Sequence, residues 1–359
     1  QSINQGTKEV TAGAGTRLAA LGDDLWENGL GMINMPDINT QSLAGAIATS
    51  THGTGQQFGS LSSYVTGLTL VTASGEVMKC SATENKDVFD AARCNIGSLG
   101  IITDITMQMR DAYYLKERSE MLPIDEAFEK MEELRLAQRH FEAYGLPHAN
   151  HILLIEFDEV TKEESDAKQG EAVSGDAYET FRTLADVIDA MPFLRGAVMS
   201  IAPRTVGVEE RYGQWNHIFG NVRDMRFNEM EYTVPAEDGL ACFREVLNTI
   251  KEKNIDIIFP IEYRYVGEDD IWLSQFYKRP GAAISVHNFH DKPYMPYFAE
   301  MEAIFDRYQG RPHWGKLHTK TEKEFAALYP QWQAFKKLRQ RLDPNRRFIN
   351  KHLESIFPV

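Results

Sequence analysis

Residues 42–55 of the chain read Ser42-Leu-Ala-Gly-Ala-Ile-Ala-Thr-Ser-Thr-His-Gly-Thr-Gly55. Small and hydroxylated residues lead here into a glycine-rich end, His52-Gly-Thr-Gly55. Glycine carries no Cβ, so the backbone N–H groups of such a segment can approach an extended ligand closely. Taken alone, this pattern predicts a ligand-binding loop only weakly, and its ligand has to be inferred from the rest of the chain.

Length, composition and charge narrow the class of protein. The chain has 359 residues, of which 43% are hydrophobic and 25% charged, and this suits two globular domains. The net charge of −14 argues against a nucleic-acid-binding protein, because phosphates require a basic face. The three cysteines, Cys80, Cys94 and Cys242, form no pair motif, and no apolar leader opens the chain. We therefore expect a cytoplasmic protein without disulfides.

The order of strand and helix patterns predicts an α+β protein. After residue 112, units such as the strand Met225–Val234, the helix Ala236–Lys251 and the strand Ile255–Val266 favour an antiparallel sheet flanked by helices. Amphipathic spacing predicts a helix over Ile124–Phe141. The acidic stretch Asp158–Tyr178 has almost no large apolar residues and is predicted to be a mobile surface loop.

Glu262-Tyr-Arg264 lies inside an apolar strand pattern. Because side chains alternate along a strand, Glu262 and Arg264 share one face and Tyr263 points to the other. A neighbouring carboxylate and guanidinium can clamp adjacent hydroxyl groups of a ligand, since the guanidinium donates hydrogen bonds and the carboxylate accepts them. From these three residues alone, a salt bridge on a solvated sheet face is the more common arrangement.

The segment Arg311-Pro-His-Trp-Gly-Lys316 predicts a bend near the end of the chain. Its proline and glycine fix the bend and its tryptophan anchors it, so His313 and Lys316 can both face inward. A single lysine in a loop is usually exposed to solvent, and a buried histidine is usually a packing residue.

The segment Ser285-Val-His-Asn-Phe-His290 contains two histidines three residues apart. Strand geometry places His287 and His290 on opposite faces, and no third ligand follows at a suitable spacing. We therefore expect no metal site in this protein.

Four segments, in this order, resemble the aldonolactone oxidase branch of the vanillyl-alcohol-oxidase-type flavoproteins, which includes the gulonolactone, arabinonolactone and alditol oxidases. They are residues 42–55, Gly97-Ser-Leu-Gly-Ile-Ile-Thr103, Arg311–Lys316 and Leu342-Asp-Pro-Asn-Arg-Arg-Phe-Ile-Asn350. The resemblance implies FAD as cofactor and oxidation of a CH–OH group of an aldonolactone, alditol or sugar acid by hydride transfer to the flavin. Oxygen is the implied electron acceptor, and a quinone or cytochrome acceptor stays open.

The resemblance also implies how the chain is divided into domains. Residues 1–112 are expected to bind FAD and to be completed by the C-terminal tail, 343–359, whereas residues 113–342 form the cap that binds the substrate. Nothing before Thr51 resembles the family's Gly-x-Gly-His-Ser loop. Either the chain is a fragment that lacks the N-terminal flavin subdomain, or it is a natural variant with impaired flavin affinity; we expect the fragment. The alternative is a non-catalytic fragment or remnant that binds a sugar acid or a partner chain without a competent FAD site.

Roles for single residues follow from the same resemblance. Glu262, Arg264, Lys316 and His313 are the expected catalytic set, in which Lys316 hydrogen-bonds the substrate oxygen and favours its developing negative charge. The expected substrate pocket also contains Thr51, Thr54 and His287. The expected FAD contacts are Ser50, Thr51, His52, Gly53, Thr54, Gly55, Gly97, Gly100, Ile101 and Lys316.

Overall fold

The computed structural model of the protein describes residues 2–168, 190–201, 206–220 and 226–358, together with positions 183, 186, 188 and 203. Its strands are β1 Ser2–Asn4, β2 Glu9–Gly13, β3 Leu30–Gly31, β4 Val65–Val71, β5 Val77–Ser81, β6 Ile101–Gln108, β7 Arg110–Asp111, β8 Tyr114–Pro123, β9 His140–Leu146, β10 His151–Val160, β11 Glu209–Gln214, β12 Phe227–Pro235, β13 Ile261–Val266, β14 Gly281–Phe289 and β15 Arg311–Pro312. Its helices are α1 Leu18–Glu27, α2 Leu43–Ala48, α3 Lys86–Ala92, α4 Ile124–Ala137, α5 Lys162–Lys168, α6 Arg195–Ile201, α7 Trp215–Phe219, α8 Gly239–Glu252, α9 Met295–Arg307, α10 Glu322–Leu328, α11 Trp332–Leu342 and α12 Lys351–Ile356.

Two large sheets organise the described residues. The first has five strands in the order β1-β2-β6-β4-β5, and the second has eight in the order β11-β8-β10-β9-β13-β14-β12-β15. The strand pairs that carry the centre of the second sheet, β9 with β13, β13 with β14 and β14 with β12, are all antiparallel. The predicted α+β class with an antiparallel sheet and flanking helices is confirmed.

The two faces of the second sheet differ in chemistry, because alternate side chains point to opposite sides. Tyr232 of β12 and Ile284 of β14 are buried in an apolar core that also contains Phe243 of α8 and Phe305 of α9. Residues one position away from these, such as Glu231 and Ser285, lie on the other face. The helices therefore cover one face of the sheet and leave the opposite one for the polar residues of the site.

The first sheet shares a core with the C-terminal helices. Leu18, Leu21 and Leu25 recur at helical spacing along α1 and are buried in this core. Trp332 of α11 stacks on Phe357, with 5.1 Å between the ring centroids, in the same cluster. The end of the chain thus packs against the elements near its beginning.

The turn after α11 is held by one side chain. The buried Asp343 carboxylate accepts hydrogen bonds from the backbone N–H groups of Arg347, at 2.8 Å, and of Phe348, at 2.9 Å. These bonds satisfy backbone donors that have no partner in a helix or sheet. They fix the direction in which α12 returns to the core.

Three predicted elements differ in extent from the observed ones. The helix predicted over Ile124–Phe141 ends at Ala137, because Gln138 is already extended and His140 begins β9, which pairs on both sides. The strand predicted from Ile255 begins only at Ile261, directly after Pro260, which has no N–H to donate to a ladder.

The third difference concerns the acidic stretch. The prediction of a loop over Asp158–Tyr178 is wrong for its first part, because β10 continues to Val160 and Lys162–Lys168 is helical. Pairing with β8 carries β10 to this point despite its acidic residues. The rest of the predicted loop lies outside the described residues.

Among the helices that the structure describes, none combines the length and apolar character needed to cross a membrane.

Candidate functional site

Four neighbouring strands bring charged side chains together on the polar face of the second sheet. Across the strands, Glu231 lies opposite Ser285, and Ser285 lies opposite Glu262. In the next row, Glu229 lies opposite His287. We call Glu142, Glu229, Glu231, Glu262, Arg264 and Lys316 the charged cluster. The register of the sheet places the first five together, and Lys316 joins them from outside the sheet.

Arg264 joins two strands of this cluster. Its Nε lies 2.9 Å from Glu142 Oε2 on β9, and its Nη2 forms an ion pair with Glu262 on β13. The Tyr144 hydroxyl donates to Glu142 Oε1 at 3.3 Å. Burial opposes the charge on Arg264, yet the two carboxylates raise its pKa well above the usual range. Only 10% of the Arg264 side chain is exposed, so the Glu262–Arg264 pair is not on a solvated face.

Lys316 reaches the cluster from the bend after β15. Its ammonium group donates a hydrogen bond to Glu229 on β12, and His287 Nε2 lies 3.3 Å from the other oxygen of the same carboxylate. Burial opposes ionisation of Glu229, but Lys316 and His287 lower its pKa to about 2. Burial would also lower the pKa of Lys316, whereas Glu229 and Glu231 raise it. Both groups are therefore charged near neutral pH.

Glu231 is held by His52 of the Ser50–Gly55 loop. His52 Nε2 lies 2.8 Å from Glu231 Oε1, and the Ser285 hydroxyl donates to Glu231 Oε2 at 2.9 Å. Burial opposes the charge of Glu231, yet His52 and His313 lower its pKa well below the usual range. His313 lies beside His52, with 5.9 Å between the ring centroids. This group joins the loop, the sheet and the Arg311–Lys316 bend.

Burial sets the protonation state of His313. It lowers the pKa of His313 to about 4, although Glu231 acts in the opposite direction. His313 Nδ1 accepts a hydrogen bond from the Gly315 N–H at 3.0 Å, which only an unprotonated nitrogen can do. The bend itself is anchored by Trp314, whose Nε1 donates to the Leu273 carbonyl at 2.6 Å.

The side chains of the Ser50–Gly55 loop have different partners. Thr51 Oγ1 donates to Gln41 Oε1 at 3.2 Å, and the Thr54 hydroxyl donates to the Phe141 carbonyl on β9. Ser50 Oγ donates to Ser274 Oγ at 3.0 Å. Among the predicted residues of this loop, the structure brings His52 to the charged cluster and fastens Thr54 to the sheet.

Two glycines of the loop are required by its close packing. A Cβ on Gly53 would lie 2.4 Å from the Met35 carbonyl oxygen. Gly55 has a φ of +114°, and a Cβ there would lie 2.6 Å from the Arg139 carbonyl oxygen. The Gly55 N–H donates to the Tyr265 carbonyl at 2.7 Å, which fixes the loop to β13.

Gly97 and Gly100 precede β6, and Ile101 begins it. Ile101 pairs with Val71 of β4, so this segment lies at the first sheet and the charged cluster at the second. The Ile96 N–H donates to the Ala48 carbonyl at 2.9 Å, so this segment lies beside the end of α2 and the loop that follows it. Gly97 has a φ of +71° and open space around it, and the Ile101 side chain is 59% exposed. This segment therefore presents open space and an exposed apolar side chain to solvent.

Three carboxylates of the site were not predicted from the sequence. Glu229 and Glu231 share one face of β12, and their Glu-x-Glu alternation in a predicted strand was the available signal. Glu142 gave no signal, because it directly follows the end of the helix predicted over Ile124–Phe141. Two groups have ligand atoms within 4.8 Å of one another, His52 with Glu231 and His313, and Glu229 with Glu262 and His287. The expectation that the protein has no metal site stays a prediction.

The comparisons with known proteins first define the class. Residues 1–81 match the family model described as an FAD binding domain. A cholesterol oxidase from Brevibacterium sterolicum has a similar solved structure, with a TM-score of 0.80 at 19% identity over 99% of this chain and 83% of the other. This likeness shows the fold. The expectation of FAD as cofactor is confirmed by the first match.

The family follows from the remainder of the chain. Residues 105–356 match the family model described as D-arabinono-1,4-lactone oxidase, and the chain belongs to this family. It is 33% identical to the L-gulono-1,4-lactone dehydrogenase of Mycobacterium tuberculosis over 99% of this chain and 82% of the relative. It is 29% identical to the L-gulonolactone oxidase of Mus musculus, with the same coverage of 99% and 82%. The predicted membership of the aldonolactone oxidase branch is confirmed.

Proposed function

We propose that the protein is an FAD-dependent oxidoreductase that oxidises a CH–OH group of a sugar-derived substrate. The observation that carries the proposal is the charged cluster, in which Arg264 and Lys316 are held by carboxylates beside the loop of the FAD-binding region. FAD, when bound, supplies the acceptor for the hydride. The protein supplies binding, orientation and charge.

Glu262 and Arg264 are proposed to bind the substrate. The guanidinium donates to hydroxyl or carbonyl oxygens, and the carboxylate accepts from a hydroxyl group. Arg264 is held from two strands, so its fork is oriented before the substrate arrives. We propose an aldono-1,4-lactone as the substrate class, by analogy with the names of the relatives; alditols and sugar acids are to be tested beside it.

Lys316 is proposed to stabilise negative charge at the substrate oxygen. It keeps 24% of its side chain exposed while its ammonium group is oriented by Glu229. A preoriented cation in a poorly hydrated site stabilises developing charge more than water does. We propose that His313 and His287 line this pocket, with Thr51 and Thr54 at its edge, and that Ser50–Gly55, Gly97, Gly100 and Ile101 contact FAD.

Oxygen is the proposed electron acceptor, in keeping with the relatives that are named oxidases. A cytoplasmic location is proposed because Cys80, Cys94 and Cys242 are all unpaired and buried, as is usual in reducing compartments.

The proposed division of the chain is an FAD-binding unit, 1–112 with 343–359, and a cap, 113–342. Its support is that the five-stranded sheet ends at residue 108 and the eight-stranded sheet begins at residue 114. The helices α10 and α11, although assigned to the cap, also pack in the core of the first unit.

The proposal is tested by the visible absorption of the FAD-loaded protein under anaerobic conditions. Addition of L-gulono-1,4-lactone or D-arabinono-1,4-lactone is expected to bleach the flavin bands, and an alditol and a sugar acid are added in parallel to compare substrate classes. Admission of oxygen should restore the bands if oxygen is the acceptor. A loaded protein that no member of the three classes bleaches would contradict the proposal.

A substitution at Lys316 tests whether the charged cluster takes part in the oxidation. Lys316→Ala is expected to lower the rate of bleaching by at least about 100-fold, because removal of one preoriented donor costs roughly 3 kcal/mol of transition-state stabilisation. The FAD content should change far less. Lys278→Ala, at an exposed position before β14, serves as the control for loss of a lysine. A Lys316→Ala protein with wild-type rate would remove Lys316 from the mechanism.

A further inference from the structure

Two histidines of the site have hydrogen-bond acceptors at both ring nitrogens. His52 Nδ1 lies 2.9 Å from the Gly53 carbonyl oxygen, and its Nε2 lies 2.8 Å from Glu231 Oε1. His287 Nδ1 lies 3.2 Å from the Pro260 carbonyl oxygen, and its Nε2 lies 3.3 Å from Glu229 Oε1. A carbonyl or carboxylate oxygen can only accept, and an imidazole has two N–H donors only when it is protonated.

The number of charges in the cluster also indicates that the two histidines are protonated. It contains four carboxylates, those of Glu142, Glu229, Glu231 and Glu262, but its permanent cations are only Arg264 and Lys316. Buried charge is costly unless it is compensated. Two protonated histidines would make the number of positive charges equal to the number of carboxylates.

We propose that His52 and His287 are imidazolium cations, each held between a backbone carbonyl and one of the two carboxylates of β12, and that they act as positioning residues for the site. His52 fixes the FAD-binding loop to Glu231. His287 shares Glu229 with Lys316, so the carboxylate that orients the lysine is itself oriented from β14.

His313 differs from His52 and His287 because one of its ring nitrogens accepts a hydrogen bond. Its Nδ1 accepts from the Gly315 N–H, so the ring is neutral although it lies beside Glu231. The site therefore contains two charged histidines and one neutral histidine beside the charged cluster. In this arrangement no ring nitrogen that faces a carboxylate is unprotonated. None of the three histidines can therefore act as a base at that position.

The groups that act on the two imidazolium rings come from several elements. His52 faces Glu231 of β12 together with His313 and Lys316 of the bend. His287 faces Glu229 of β12 and, with it, Glu262 of β13. Phe227 and Phe259 pack against the His287 ring at centroid distances of 5.4 and 5.0 Å and exclude water from it. Asp37, which is partly exposed, adds a negative charge that acts on Arg264.

The proposal is tested by NMR of the full chain labelled with ¹⁵N at histidine. Both ring nitrogens of His52 and of His287 are expected to carry a proton at neutral pH, where an ordinary histidine has lost one. His52→Gln and His287→Gln identify the signals. His148 is the matched control, because its Nε2 has one carbonyl acceptor, at 2.9 Å, and burial lowers its pKa. A bare nitrogen on His52 or His287 at neutral pH would overturn the proposal.

Two crossed variants test which carboxylate holds which ring. In Glu231→Gln, His52 is expected to lose one proton at neutral pH while His287 keeps both; in Glu229→Gln the outcomes should be reversed. Each variant is thus the control for the other in size and chemistry. If neither variant changes the protonation of either ring, the pairing is wrong. The wild-type spectrum decides the protonation states even if one variant fails to fold.

The positioning role rests on the proposed function, whereas the protonation states do not. In FAD-loaded protein, His52→Gln is expected to lower kcat about tenfold or more with KM changed less than about threefold, because the loop is displaced while Glu262 and Arg264 stay in place. Wild-type protein with two imidazolium rings but no oxidation of any substrate would refute the proposed function alone. Wild-type protein that oxidises a lactone but has a bare nitrogen on His52 would refute this inference alone.

Discussion

At the scale of single residues, the site depends on ion pairs that are shared rather than isolated. Arg264 serves two carboxylates, Glu142 and Glu262, and Glu229 serves two cations, Lys316 and His287. A buried charge that loses its partner is left with an uncompensated desolvation cost. Each member of the cluster is therefore sensitive to substitutions that keep its charge but change its shape.

Arg264→Lys tests this at one position. Lysine keeps the positive charge but has no fork, so it cannot contact Glu142, Glu262 and a substrate oxygen together. The loss of one charge-assisted hydrogen bond is worth about 1.5–3 kcal/mol, which predicts a fall in kcat/KM of roughly 10- to 100-fold. Steady-state kinetics with the lactone that bleaches the flavin would measure it.

Arg341→Lys is the matched control for that substitution. Arg341 pairs with Asp87 at 2.7 Å, but both side chains are more than half exposed. Exposed ion pairs contribute little, so this variant should keep wild-type kinetics. If both variants behaved alike, the fork of Arg264 would have no part in substrate binding.

Part of the site could be predicted from local sequence, and part could not. The shared face of Glu262 and Arg264 follows from the two-residue period of a strand and was predicted. The pairing of Glu231 with His52 joins residues 179 positions apart, so it depends on strand register and loop packing. Strand register and loop packing cannot be predicted from one segment of sequence. The Glu-x-Glu alternation of β12 was nevertheless a usable signal for the two carboxylates.

At the scale of elements, the loop between β13 and β14 connects the parts of the site. Its Ser274 accepts a hydrogen bond from Ser50 of the Ser50–Gly55 loop, and its Leu273 carbonyl accepts from Trp314 of the bend. The loop is held by Asp269, which accepts from Ser274 Oγ at 2.6 Å and from the Ile271 N–H at 3.1 Å. Burial raises the pKa of Asp269 to about 6, against these hydrogen bonds.

Asp269→Asn tests the energetic consequence. The folded protein binds this proton more tightly than the unfolded chain, so the stability that the group contributes is present below about pH 4 and is lost as pH rises through about 6. A shift from the ordinary 3.8 to about 6 corresponds to roughly 3 kcal/mol. Relative to wild type, the free energy of unfolding of the variant should rise by up to that amount between about pH 4 and about pH 7 in urea titrations.

The adjacent Asp270 provides the control. Its side chain is 58% exposed and pairs with Arg93 at 2.9 Å. Asp270→Asn should change the free energy of unfolding by no more than about 1 kcal/mol. A difference between Asp269→Asn and wild type that is constant with pH would show that Asp269 ionises normally in the folded protein.

The elements themselves were predicted where their patterns are local. β12 agrees with its prediction to within two residues, because apolar spacing marks it. β9 was missed: His140–Leu146 adjoins a helix of 14 residues, and its strand character comes from partners on both sides, β10 and β13. Tertiary pairing overrides weak local preference in such a segment.

At the scale of the whole molecule, the site lies where two separately built sheets meet. The loop Ser50–Gly55 follows α2 of the first unit, and it is fastened to β9 and β13 of the second sheet by Thr54 and Gly55. The core of the first unit is in turn closed by Trp332, Phe335 and Phe357 from the end of the chain. The position of the loop therefore depends on helices that do not touch the charged cluster.

Phe357→Ala tests this dependence. The Phe357 ring is 1% exposed and stacks on Trp332 and Phe335, so its removal leaves a cavity in the core that the first sheet shares with the C-terminal helices. Such a substitution costs about 3–5 kcal/mol in the free energy of unfolding, which urea titration would measure. Phe193→Ala removes the same ring from a side chain that is 81% exposed and should cost less than about 0.5 kcal/mol. Because α1 and α2 share the core with Phe357, we also expect FAD to dissociate more readily from the Phe357→Ala protein at a temperature where it is still folded. A variant with lowered stability but wild-type retention of FAD would mean that the C-terminal helices stabilise the fold without helping to position the loop.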